Sequence, residues 1–176
     1  MTPETAPESQ KSPLRPTTDE ARDLARRLIS SNRTAALATI DDQGCPFVSL
    51  VGCASMDDGS PLLLVSQLSQ HTRFMLARPH VSLLFGDTSP KAAKGDPLAH
   101  PRLSLSGLVE VIDADDPTRQ RARTLYLAQH PKAELYIDFA DFLLIRIKPS
   151  HAALNGGFGK AYQLTDNDLL LRQPQK

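Results

Sequence analysis

Short apolar segments separated by polar turns make up most of the chain beyond residue 33. Runs of this length that end at Gly, Asp or Pro predict strands, and they occur at residues 34–40, 46–54, 62–66, 81–85, 102–112 and 142–147. The run at 102–112 alternates, with Leu103 and Leu105 on one face and Ser104 on the other. We therefore predict a mainly β fold with flanking helices, an antiparallel barrel of six to seven strands.

Helical patterns lie between and around these strands. Thr17 or Thr18 can cap a first helix whose apolar residues repeat at three and four positions up to Ile29. A second helix is predicted at about 70–78, and a third is expected to begin at the Asp116-Pro117 pair. A short helix within 132–139 and a final helix or strand at 165–169 complete the prediction.

Composition indicates one globular domain, placed at residues 17–176 after a proline-rich tail at 1–16 that we expect to be disordered. Twenty basic and twenty acidic side chains balance, which does not favour nucleic acid as a partner. With no apolar run long enough for a membrane span and no signal-peptide pattern, we expect a cytoplasmic protein without a membrane partner. Cys45 and Cys53 predict neither a disulfide nor a metal site, and buried thiols are expected.

The segment from Ser66 to Arg73 is the strongest candidate for binding chemistry. It follows an apolar strand and leads into a helix, and free N–H groups at a helix N-terminus form an anion site. Hydroxyls, an imidazole and a guanidinium stand at the same place, which favours a phosphate. A capped surface helix with solvated side chains is the alternative interpretation. The segment has neither the P-loop nor the Rossmann glycine pattern.

Three segments indicate a family through their order and spacing: Gly44–Val51, Leu64–Arg73 and Pro79–Phe85. Together they resemble the flavin-binding split-barrel proteins related to pyridoxamine 5′-phosphate oxidase. Four further segments resemble the haem-utilisation branch of that superfamily, namely His71-Thr72-Arg73, Arg102–Gly107, His130-Pro131 ahead of Asp141-Phe142, and Gly156–Gly159. The resemblance covers about residues 20–165 and implies a split β-barrel that binds FMN as a homodimer.

The resemblance also implies roles for individual residues. The FMN phosphate would be held by Ser66, His71, Thr72 and Arg73, with Gln67 and Leu68 beside the ribityl chain. Ser49, Leu50 and Val51 would lie along the isoalloxazine ring. Arg102 would reach the flavin across the dimer interface, and Gly157, Phe158 and Lys160 would close the far side.

Three functions follow from these features. The first is an FMN-dependent oxidoreductase acting on an unidentified small molecule, in which the flavin supplies the chemistry. The second is a non-catalytic flavin-binding sensor or store, because a fold does not fix a function. The third is a haem-binding or haem-degrading relative.

Two departures from the family pattern limit these choices. No Arg-x-His follows the glycine turn at 156–157, so vitamin B6 oxidation is not expected. The segment 171–176 lacks the C-terminal histidine that ligates iron in haem-degrading members, so haem would need another ligand.

Overall fold

Seven antiparallel strands form one sheet in the computed structural model, which describes residues 14–86, 96 and 99–171. Their bounds are β1 Thr34–Ile40, β2 Pro46–Ser55, β3 Pro61–Ser66, β4 His80–Gly86, β5 Arg102–Ile112, β6 Phe142–Asn155 and β7 Ala161–Thr165. The order is β3-β2-β1-β4-β5-β6-β7, and β3 also pairs with β6. This second pairing closes six strands into a barrel and leaves β7 as an extra strand, which confirms the predicted fold class.

Four helices flank the strands: α1 Asp19–Ser31, α2 Gln70–Ala77, α3 Arg119–Gln129 and α4 Asp166–Leu169. A 3₁₀ turn at Pro131–Leu135 follows α3. The third helix begins two residues later than predicted, because the Asp116 carboxylate accepts bonds from the Thr118 backbone N–H (2.7 Å) and hydroxyl (2.6 Å). These bonds form a turn ahead of the helix. No helix within the described residues is long and apolar enough to cross a membrane.

Strand β6 is much longer than the apolar run that predicted it. It continues through Pro149 because the register with β5 shifts there, so that Gly107 faces Pro149 while Ser106 faces His151. The additional residue, Ser150, makes a bulge, a position where a strand tolerates proline. The apolar pattern is interrupted at this bulge, which concealed the second half of the strand.

The barrel interior is filled by alternate side chains of its strands, including Leu37, Leu83, Phe85, Leu105 and Ile145, each at most 1% exposed. Helix α1 packs on this cluster, and α3 packs on a second cluster beside β3 and β6. The cysteines are both free, but only Cys53 is buried; Cys45 is exposed, contrary to expectation, because it lies in the turn before β2.

The barrel is split along the first half of β2. Strand β2 pairs with β3 only through Cys53–Ser55 and Pro61–Leu63, so its segment 46–52 bonds to β1 alone. Helix α2 lies against this half-strand, where Phe47 and Phe74 pack edge to face with ring centroids 5.3 Å apart. The Ser66–Arg73 segment is thereby placed beside the split.

The expected disordered tail lies mostly outside the described residues, which begin at residue 14. Residues 87–95 and 97–98, between β4 and β5, and residues 172–176 lie outside them as well. The Arg15 backbone N–H donates to the Ala161 carbonyl at 2.9 Å, and the Thr17 hydroxyl donates to the Gln163 carbonyl at 3.0 Å. This segment therefore lies along the outer edge of β7.

Replacing Gly107 by Ala should destabilise the barrel by about 1–3 kcal/mol, because the added Cβ would lie 2.4 Å from the Lys148 carbonyl oxygen. Gly86→Ala is the matched control, since a Cβ there meets nothing within 4 Å. Urea unfolding of both variants measures the difference. Equal stability of the two would contradict the close contact between β5 and β6.

Candidate functional site

A hydrogen bond across the split joins β2 to α2. The Ser49 hydroxyl lies 3.2 Å from His71 Nδ1, and the imidazole is half-buried. Burial lowers the pKa of His71, so the neutral ring is favoured near pH 7. Its Nε2 makes no hydrogen bond to any described residue. The structure therefore brings together two residues that the sequence assigned to different parts of the site.

The hydroxyls of Ser66 and Thr72, in the predicted phosphate turn, already form hydrogen bonds with other groups of the protein. Ser66 donates to the Asp141 carboxylate at 2.7 Å and accepts the Leu68 N–H at 3.1 Å. Thr72 is fully buried and donates to the Ser66 carbonyl at 2.7 Å. Ser69, the residue before α2, forms no side-chain cap. These bonds hold the turn rigidly against the start of β6.

Arg73 is the one predicted phosphate ligand that lies on the surface. Its guanidinium pairs with Asp42 at 2.9 Å, with both side chains more than 60% exposed, and lies 5.0 Å from the centre of the Phe74 ring. An exposed pair of this kind is weak. Arg73 can therefore exchange its partner for another carboxylate at little cost.

Apolar side chains are unusually exposed around this turn. Leu68 in the turn is 87% exposed. Leu50 is 73% exposed, but it follows Ser49 on β2 and so faces the outer side of the barrel, away from His71. Gln67 bonds through its backbone N–H to the Asp141 carbonyl and through its side chain to the Ala140 carbonyl, which places Phe139, 58% exposed, in the neighbouring segment. Val51, expected to line the same site, is instead 5% exposed and belongs to the core.

The remaining predicted residues lie at the other end of β6. Arg102 pairs in register with Asn155, whereas Ser66 pairs with Phe142 at the strand's first residue. Gly157, Phe158 and Lys160 lie in the hairpin that follows, and Phe158 is 90% exposed. Fourteen residues separate the ends of β6, roughly 40 Å along the strand. One chain therefore does not bring the two groups together.

Sequence reasoning missed two residues near the turn, Asp42 and Phe139, and it gave no role to Asp141. The Asp141 carboxylate contacts Ser66 across 75 positions of sequence, and Asp42 contacts Arg73 across 31. No local pattern indicates such pairs. The available signal for Asp141 was its place in the Asp141-Phe142 pair that resembles the haem-utilisation branch.

The family model described as "CREG, beta-barrel" matches residues 16–170. The chain belongs to the CREG β-barrel family. Its relatives confirm the resemblance to the haem-utilisation branch of the split-barrel superfamily. The non-canonical haem oxygenase HOZ of Arabidopsis chloroplasts is 34% identical over 139 residues, 78% of this chain. The haem oxygenase HutZ of Vibrio cholerae is 26% identical over 141 residues, also 78% of this chain.

These matches cover the two relatives unequally: 40% of the length of HOZ and 77% of the length of HutZ. Among solved structures, a haem-binding protein from Mycobacterium smegmatis superposes with a TM-score of 0.77 at 29% identity. That superposition covers 89% of this chain and 61% of the other. The names of all three proteins refer to haem.

The predicted FMN cofactor is therefore wrong, since these similar proteins are named for haem. The structure supplies a physical reason. A phosphate at the turn would meet the Asp141 carboxylate, which already holds the Ser66 hydroxyl, while the Thr72 hydroxyl is buried and occupied. The residue types of an anion site are present, but these donors are not free to form one.

Thr72→Val should destabilise the protein by about 1–3 kcal/mol. The substitution removes a buried hydroxyl, and the Ser66 carbonyl loses the hydrogen bond that this hydroxyl donates. Thr124→Val is the matched control, since that threonine is exposed on α3 and bonds only within its helix. Thermal unfolding measures the stability of both variants. If the Thr72 variant were no less stable than the Thr124 variant, the turn would not depend on this bond.

Proposed function

We propose that this protein binds haem at the split between β2 and α2 and breaks it down oxidatively, with haem as the substrate. Sequence similarity to HOZ and HutZ supports this function. The main structural support is one observation at the split. Apolar side chains that a soluble protein normally buries stand exposed around a neutral imidazole. A flat apolar ring system needs that kind of surface, together with a few directed polar groups.

The side chains present fit the separate parts of haem. Leu68 offers apolar area to the macrocycle, and so does Phe139 in the segment that Gln67 contacts. Arg73 offers a positive charge to a propionate at the rim, in exchange for its exposed contact with Asp42. His71 offers a nitrogen to the iron.

Oxidation requires these residues to do three things: orient the macrocycle, limit its contact with water, and keep a basic nitrogen available. Burial of His71 serves the last of these, because the lowered pKa keeps its ring unprotonated near neutral pH. When bound, haem supplies a redox-active iron and is itself the molecule that is oxidised.

We also propose that the protein works as a homodimer. On the outer face of the barrel, register places Leu50 beside Ala36 and Ala36 beside Leu84, and Val48 beside Ala38. Val48 is 64% exposed and Leu84 47%. A second copy covering this face would bury these side chains and would bring the Arg102 and Phe158 end of one chain toward the turn of the other.

Titration with ferric haem tests the function. The wild type should develop a saturable Soret band, and adding a reductant in air should bleach it. Leu68→Asn should weaken binding about tenfold, because a large apolar side chain is lost from the surface. Leu171→Asn is the control, since Leu171 is also exposed but lies near the Asp58 turn.

The outcomes separate haem breakdown from haem storage. A Soret band that bleaches supports haem breakdown, whereas a stable band under reductant and air indicates a haem store. Absence of any saturable band would contradict the proposal.

Leu84→Glu should convert a dimer to a monomer, because it places a charge in the centre of the apolar face. Leu76→Glu on α2 is the control, with nearly the same exposure, 46% against 47%. Size-exclusion chromatography coupled to light scattering measures the mass of each variant in solution. A monomeric wild type, or a Leu84 variant that stays dimeric, would contradict this interface.

A further inference from the structure

We propose that His71 is the axial ligand of the haem iron, through Nε2, and that Ser49 is the positioning residue that fixes its ring. This inference rests on the proposed function and assigns the atom that would hold the iron.

The first argument is that two of the other histidines are not available to iron. His130 Nε2 lies 2.9 Å from the Cys53 carbonyl, and the ring stacks on Tyr126. His100 Nε2 is buried. His80 and His151 are exposed and line a separate cleft of about 450 Å³ on the outer face of the sheet, so they are the rival ligands that the experiment below must exclude.

The second argument is the state of the His71 ring. Iron-binding histidines use one nitrogen for the metal and the other for a hydrogen bond that sets tautomer and orientation. His71 Nδ1 has that bond, to the Ser49 hydroxyl at 3.2 Å. When Nδ1 donates its proton to the Ser49 oxygen, Nε2 carries the lone pair.

The third argument is that the backbone carrying His71 is fixed. The next residue, Thr72, is buried and bonded to the Ser66 carbonyl, and Ser66 is bonded to Asp141 at the start of β6. On the other side, Phe74 packs against Phe47 of β2. A ligand held on a rigid element keeps its geometry better than one on a free loop.

The fourth argument is the match between ligand and surface. Leu68 precedes His71 by three positions in the turn and is 87% exposed. Phe139, 58% exposed, lies next to Ala140, whose carbonyl accepts a bond from the Gln67 side chain. A macrocycle whose iron reaches Nε2 therefore finds apolar side chains on the turn and on the segment bonded to it. Within the described residues, no cluster of three His, Cys, Asp or Glu side chains offers a metal site of another kind.

Resonance Raman spectroscopy of the ferrous haem complex tests the assignment, because an iron–imidazole stretch reports the ligand directly. The wild type should show this band, and His71→Ala should lose it while still taking up haem through the apolar surface. Free imidazole should restore the band in the His71 variant. His80→Ala and His151→Ala are the controls and should keep it.

Ser49→Ala tests the positioning role separately. This variant should retain the band at a shifted frequency and bind haem about tenfold more weakly, because the ring loses its orienting bond. An unshifted band would contradict the role of Ser49.

The other outcomes distinguish failure of the inference from failure of the function. Haem uptake by the wild type without an iron–imidazole band, or with a band that survives in the His71 variant, would overturn the ligand assignment and leave haem binding intact. Absence of haem uptake by the wild type would overturn both.

Discussion

The pairing of β3 with β6 is the constraint on which the rest of the structure depends. Five residue pairs, from Leu62–Arg146 to Ser66–Phe142, join the two strands and close the barrel. It joins segments almost eighty residues apart, and loop-closure entropy makes such a contact costly to form. The burial of Leu62, Leu63, Leu144 and Ile145 along the two strands offsets that cost. The same pairing brings Asp141 to Ser66 and so fixes the turn that carries His71.

Beyond Leu63, β3 pairs with β6 but no longer with β2, which leaves the first half of β2 without a partner on one side. A free strand edge exposes unpaired N–H and C=O groups and normally needs protection. Here α2 lies beside that half-strand, and the Ser49–His71 and Phe47–Phe74 contacts tie the two together. The site is therefore a consequence of how the barrel is closed: the split that closure leaves is where apolar side chains and an imidazole meet.

Local chemistry determined what could be predicted from the sequence. The turn at Asp41–Gly44 was visible because its own residues make it: the Asp41 carboxylate accepts two backbone N–H groups, and Gly44 takes a positive φ. The length of β6 was not visible, because Pro149 and a bulge interrupt its pattern. The site residues divide in the same way. The sequence located the turn, but the FMN expectation was wrong because the Ser66 hydroxyl is held by Asp141 through a contact that no local pattern encodes.

The central claim is that haem lies over the split between β2 and α2. Amide NMR of the protein loaded with ferric haem, compared with the same protein loaded with gallium protoporphyrin, tests it most directly, because only the iron broadens nearby signals. The account predicts that broadening is strongest at Leu50, Leu68 and His71. Broadening centred instead on His80 and His151, at the cleft on the outer face of the sheet, would contradict it.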